Sequence, residues 1–141
     1  KPDCIILLGG ANNAKVVASC LYVLNTSTFE WIQPSSAAGT PNAMALAAAA
    51  TGDSVYAFGG FGISSDSQSQ PKAGKAKNEY LRDIWELDSS LQWHRLNTTG
   101  DIPTARLGHS MVATSAGELI VFGGSNGSKS KYARATRPAC N

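Results

Sequence analysis

The sequence predicts an all-β chain built from a repeated unit of four antiparallel strands. Three observations predict it. Apolar runs ending in a glycine doublet occur three times, at Ile5–Gly10, Val55–Gly60 and Leu119–Gly124. An aromatic strand followed by Asn or Asp and then a tryptophan occurs twice, as Leu21–Asn25 before Trp31 and Ile84–Asp88 before Trp93. The doublets recur at near-regular spacing, first 50 and then 64 residues apart. The excess of 14 has a visible source. Ile63 to Lys77 is rich in Ser, Gln, Ala, Gly and Lys, which reads as a flexible insertion. Without it the period is about 50 residues, a length suited to sheet-forming repeats.

Each element follows in order. The doublet segments are short apolar runs with β-branched or aromatic residues and a turn signal at the end, as expected for strands buried on both faces. The Tyr/Trp segments run into Asn25-Thr26-Ser27-Thr28 and Asp88-Ser89-Ser90, which are hairpin signals. The complete unit lies in the middle, with strands expected at Met44–Ala50, Ser54–Phe58, Asp83–Leu87 and Gln92–Leu96. The run Ala43–Ala50 has helical propensity, but the repeat sets it where His109–Thr114 stands in the next unit. A strand is expected there, with small side chains for a crowded position. The units divide the chain into 1–35 (strands two to four), 36–99 (complete, with an insertion over 63–79) and 100–141 (strands one and two, and a tail).

Composition narrows the function classes. Of 141 residues 43% are hydrophobic and 16% charged, which argues against wholesale disorder. Twelve Lys and Arg against ten Asp and Glu leave +2, too little and too dispersed for a nucleic-acid partner. The longest apolar runs, Cys4–Leu8 and Ala43–Ala50, fall far short of the ~20 residues that span a bilayer, so no membrane role is expected. No signal peptide opens the chain as given. No G-x-x-x-x-G-K-S/T is present, so the doublets are not a phosphate cradle. Cys4, Cys20 and Cys140 form no CxxC, and His94 and His109 lack ligand spacing, so no metal or cofactor is expected. Cys4 and Cys20 open two antiparallel strands and so fall at opposite ends of a hairpin. No paired-carboxylate spacing stands out, and Asp83 and Asp88 read as turn and edge residues.

The ordered set of blocks resembles the kelch repeat over nearly the whole chain. Gly100-Asp101-Ile102-Pro103-Thr104-Ala105-Arg106-Leu107-Gly108-His109-Ser110 is similar to the G-x-x-P-x-x-R-x-x-H-S opening of one kelch subgroup. The middle unit departs from it, with Met44 and Ala47 placed where Arg106 and His109 stand. The resemblance implies blades of a β-propeller. A closed propeller needs about four to eight blades, and this length holds two to three. Further blades are therefore expected from a longer chain or from other subunits. The resemblance also implies that Trp31 and Trp93 pack between neighbouring blades, and that Arg106 and His109 hold loops and backbone near a blade's inner end.

Function is expected on the loops that share one rim, those after the second and fourth strands: Ala11–Ser19, Pro34–Asn42, Phe61–Leu81, Thr98–Ala105 and Ser125–Lys131. The primary expectation is a non-catalytic module that binds another protein through this rim. The candidate contacts are Asn12, Asn13, Lys15, Phe61, Arg82, Arg106, Asn126 and Lys129. No catalytic residue is assigned. Asp101 and Ser110 are the nearest companions for His109, but a Ser–His–Asp relay is defined by geometry. An alternative implied by the resemblance is an enzyme like galactose oxidase or an iron-using kelch protein, which would need His and Tyr ligands converging near the axis. A third is an extracellular adhesion piece, because Asn25, Asn97 and Asn126 each open an Asn-x-Ser/Thr acceptor. Kelch repeats are more often intracellular, and that placement is preferred.

Overall fold

The computed structural model describes residues 4–11, 20–34, 39–64 and 78–127. These form twelve strands, and no helix is found among the described residues. The first sheet has the order β1 (Cys4–Leu8), β2 (Leu21–Asn25), β3 (Trp31–Ile32). The middle sheet is the complete unit, ordered β10 (Trp93–Leu96), β9 (Ile84–Leu87), β6 (Ser54–Phe58), β5 (Ala47–Thr51). The last is the hairpin β11 (Leu107–Ala113) and β12 (Leu119–Ser125). All pairings are antiparallel.

The turns are built as their residues dictate. Asn25 Oδ1 accepts hydrogen bonds from the Ser27 and Thr28 amides at 2.8 and 3.2 Å. Asp88 Oδ1 does the same for the Ser90 and Gln92 amides at 2.8 and 3.0 Å. Both side chains thus supply the backbone-mimicking bond that closes the hairpin leading to a tryptophan. Asp83, the other edge carboxylate, pairs with Arg95 at 2.9 Å. Cys4 pairs in register with Asn25, while Cys20 precedes Leu21, the partner of Leu8. The two thiols therefore sit at opposite ends of the β1–β2 hairpin, and both are free. Cys140 lies outside the described residues.

The alanine run is extended, not helical, but it is broken. β4 (Ala43–Met44) and β5 are separated by Ala45 at φ 53°. β4 then joins β7 (Phe61–Gly62) and β8 (Glu79–Tyr80) in a small sheet that sequence reading did not contain. It closes the base of the insertion, pairing Phe61 with Tyr80 and Gly62 with Glu79.

Two apolar clusters join the three sheets. Leu21 of the first packs with Ala57, Leu87 and Trp93 of the second. Ala47 and Phe58 of the second pack with Met111 of the third. Trp93 is 7% exposed and packs between sheets as expected. Trp31, its counterpart, is 53% exposed. The reason is one of neighbours: Trp93 leans on Leu21 of the preceding unit, and no described unit stands on that side of Trp31. The same holds at the far end, where Phe122 occupies the place of the buried Phe58 and is 80% exposed. The sheets are thus stacked side by side and open at both ends.

Candidate functional site

The glycine doublets set the geometry of the candidate rim. A Cβ on Gly9 would meet the Ala43 carbonyl oxygen at 2.5 Å and Leu46 Cδ2 at 3.7 Å. A Cβ on Gly59 would meet the Arg106 carbonyl oxygen at 2.7 Å and His109 Cε1 at 2.8 Å. The first glycine of the first and second doublets therefore receives the strand opening of the next unit, in the same way at both junctions. The second glycine packs on its own unit, Gly60 against the Met44 carbonyl and Gly124 against the Leu107 carbonyl, both at 2.8 Å. Backbone bonds complete the second joint: the Gly60 amide donates to Arg106 O, Arg106 N to Leu81 O, and Gly108 N to Ala45 O.

This geometry corrects the alignment of the units. Ala43 and Leu46, not Met44 and Ala47, stand where Arg106 and His109 stand. Ala47 faces Phe58 across its hairpin as Ser110 faces Phe122, and Ala45 at φ 53° matches Gly108 at φ 63°. The third unit has one residue more between its proline and its strand, so aligning Pro41 with Pro103 shifts the register by one.

The candidate contacts fall into three groups. Asn12, Asn13, Lys15 and Lys129 lie outside the described residues. Phe61, Arg82 and Asn126 are on the rim. Phe61 meets Tyr80 edge-on with ring centroids 5.5 Å apart. Tyr80 in turn touches the third-unit loop, where a Cβ on Gly127 would come 2.5 Å from its ring. Asn126 is exposed beside that contact. Arg82 is exposed and lines a hollow of about 150 Å³ with Asn97, Thr98 and Ile102. It makes no hydrogen bond or ion pair with another described residue. Arg106 differs: Nη1 donates to Gly123 O at 2.8 Å, Nε to Thr104 O at 3.1 Å and Nη2 to Thr104 Oγ1 at 3.2 Å. Each of its three nitrogens makes a bond, tying the strand opening to Thr104 and to the doublet of its own blade.

Sequence reading placed Tyr80 and Ile102 on rim loops but did not name them among the candidate contacts. An aromatic directly after the insertion, opposite Phe61 before it, was the available signal for Tyr80. A groove of about 680 Å³ lies elsewhere, beside edge strand β1, lined by Cys4, Ile6, Leu8, Ala48–Ala50, Asp53 and Asp88. It lies between the first and middle sheets, away from the rim. Of the Asn-x-Ser/Thr sites, Asn97 and Asn126 are exposed, whereas the Asn25 side chain is engaged in its own turn.

The titratable groups are held structurally. His94 Nε2 lies 2.8 Å from Asp88 Oδ2 on outer strand β10. The amide of Gln92 and the His94 ring hold the Asp88 carboxyl below its ordinary range. Ser54 Oγ and Tyr56 OH both donate to Glu86 Oε1, at 2.8 and 3.0 Å, and that hydrogen bond pushes the Tyr56 phenol up. Neither ring nitrogen of His109 has a hydrogen-bond partner, so no Ser–His–Asp relay runs through it. Among the described residues no three His, Cys, Asp or Glu lie together as a metal site would need.

Residues 1–135 match the family model described as the KLHDC2/KLHL20/DRC7 Kelch-repeats domain. The chain is 32% identical over 129 residues to the host cell factor homolog hcf-1 of Caenorhabditis elegans, covering 86% of this chain and 15% of that protein. It is 32% identical over 130 residues to the human Rab9 effector protein with kelch motifs, covering 91% and 32%. Kelch domain-containing protein 2 of Bos taurus is 28% identical over 106 residues, covering 74% and 23%. The chain thus spans a third or less of each of these relatives. Doublets, tryptophan hairpins and the repeated joint agree with the match: the chain belongs to the kelch-repeat family, and its sheets are blades of an open β-propeller segment.

Proposed function

We propose that this segment is a non-catalytic protein-interaction module that engages its partner through the doublet rim. The observation that carries the reading is the contrast between two arginines on that rim. Arg106 spends its donors on carbonyl and hydroxyl groups of its own chain. Arg82 keeps its guanidinium exposed over a hollow that Ile102 borders. A planar charged donor beside an exposed aliphatic side chain suits a protein partner carrying a carboxylate next to an apolar group. The Phe61–Tyr80–Gly127 contact ties two blades together beneath the loops, so the loops ride on a rigid base. The relatives support the class: one is by its name an effector of another protein, Rab9. Asn12, Asn13, Lys15, Asn126 and Lys129 complete the proposed contact set.

The test begins with crosslinking in the intact protein to identify a direct partner. Its affinity is then measured against Arg82→Ala, Phe61→Ala and Lys129→Ala. Arg82→Ala is expected to weaken binding about tenfold, roughly 1.4 kcal/mol, with the thermal midpoint unchanged. A verified partner indifferent to all three substitutions would remove the rim from consideration.

A further inference from the structure

The second junction holds a group that the first does not. His109 is 7% exposed, inside the contact between the middle and third blades. Its ring meets Phe58 edge-on, with centroids 5.3 Å apart and planes at 75°. Cε1 closes against Gly59 of the preceding blade, and the Cβ side is closed by Gly124 of its own. Both ring nitrogens are buried without a hydrogen-bond partner. A neutral imidazole tolerates this site at some cost, but an imidazolium would bury a charge with nothing to solvate it. At the first junction the same place beside Gly9 is filled by Leu46, which cannot take up a proton.

The surroundings reinforce the point. From its own strand opening the ring feels the Arg106 guanidinium, whose like charge opposes protonation. From the end of β6 and the glycine after it the ring faces Phe58 and Gly59, and from β12 Gly124, none of them ionisable. On the segment before β9, Asp83 accepts from the Gly59 amide through its backbone carbonyl, and its carboxylate is paired with Arg95. The Phe58 backbone favours the charged form, but not in hydrogen-bonding geometry. Burial is the larger influence and pushes the imidazole below the ordinary histidine range.

We propose that His109 makes the junction between the middle and third blades acid-sensitive, so that protonation of its ring releases the β11–β12 hairpin while the Leu46 junction holds. The sign follows from linkage. The packed state favours the neutral ring and the released state binds the proton more readily. Junction stability is therefore full above the ordinary histidine pKa of ~6.5 and is lost as pH falls below it.

Hydrogen exchange of the intact protein between pH 7.5 and 4.5, corrected for the chemical exchange rate, tests this. Protection in β11–β12 is expected to fall by up to about tenfold per pH unit below pH ~6.5, in excess of any change in β1–β2. His109→Leu, which copies the first junction, and His109→Gln, neutral throughout, are each expected to abolish that excess. The His109 Cε1 proton, followed by NMR in the unaltered protein, is expected to titrate below the ordinary range. A folded His109→Leu or His109→Gln protein that keeps the wild-type acid response overturns the proposal. So does a His109 ring that titrates at or above its ordinary value, a readout that survives even if neither variant folds.

Discussion

The first junction sets Leu46 beside Gly9, and the second sets His109 beside Gly59. In both, a carbonyl oxygen from the next blade, Ala43 or Arg106, lies where a Cβ on the glycine would have to be. The side chains around the joint differ far more. The first buries Leu21, Leu87 and Trp93, and the second Ala47, Phe58 and Met111. The comparison teaches that the joint is a backbone device. A glycine doublet lets one strand opening approach closely, and the side chains then adjust how strongly, and under what conditions, the blades hold. In an architecture whose units contact only their neighbours, stability is close to a sum over such junctions. Each can therefore be altered on its own.

The largest expected effect separates a formed junction from an open face. Trp93 fills the first junction, whereas Trp31 holds the same place on a blade with no described neighbour on that side. Trp93→Ala is expected to destabilise by about 3–5 kcal/mol, the usual loss for a buried aromatic. Trp31→Ala should change stability by less than about 1 kcal/mol in this chain, since half its surface is already wet. Denaturant midpoints of the two variants check this. Equal losses would mean that Trp31 is covered in solution.

The glycine pair at the second and third doublets sharpens the backbone claim. Gly59 (φ 66°) and Gly123 (φ 73°) have the same conformation, so alanine at either bears a left-handed backbone penalty of about 1–2 kcal/mol. At Gly59 the new methyl would also meet the Arg106 carbonyl and the His109 ring, whereas at Gly123 nothing lies within 4 Å. Gly59→Ala is therefore expected to lose about 3 kcal/mol in total, with the excess coming from overpacking. Gly123→Ala should lose only the backbone part. Indistinguishable unfolding curves would show that the close approach is not what joins the blades.

How much of this was legible in the residues depends on the range of the force that decides each feature. The doublet strands and tryptophan hairpins were, because Gly9, Gly59, Asn25 and Asp88 act on their own turns and next neighbours. The break at Ala45 was not: nothing in an alanine announces a left-handed backbone, which is imposed there by packing. The sheet β4–β7–β8 has two-residue strands, too short for any period, and its partners Phe61 and Tyr80 are separated by the insertion. Trp31 and Trp93 are the same residue in the same motif, so their different burial could come only from the neighbouring sheet. At the rim, Phe61, Arg82 and Asn126 could be named from loop position. That Arg106 holds loop and backbone was implied by the resemblance, but which groups it holds required coordinates, because that turns on where the Gly123 carbonyl lies.

Ala45 offers the smallest and most specific effect. It adopts φ 53°, where its counterpart in the third blade is Gly108 at φ 63°. An L-residue with a Cβ is strained there, while glycine enters the region freely. Ala45→Gly relieves that strain but loosens the unfolded chain, which offsets part of the gain. The net expectation is a stabilisation of about 0.5–1 kcal/mol. Gly108→Ala is the mirror experiment, and its Cβ would meet nothing within 4 Å, so it isolates the backbone. It should destabilise by about 1 kcal/mol. Opposite shifts in thermal midpoint, of similar size, would show that both blades turn into their inner strand by the same left-handed step. If Ala45→Gly destabilises instead, Ala45 contributes packing that outweighs its strain, and the two blades are alike in outline but not in how this turn is held.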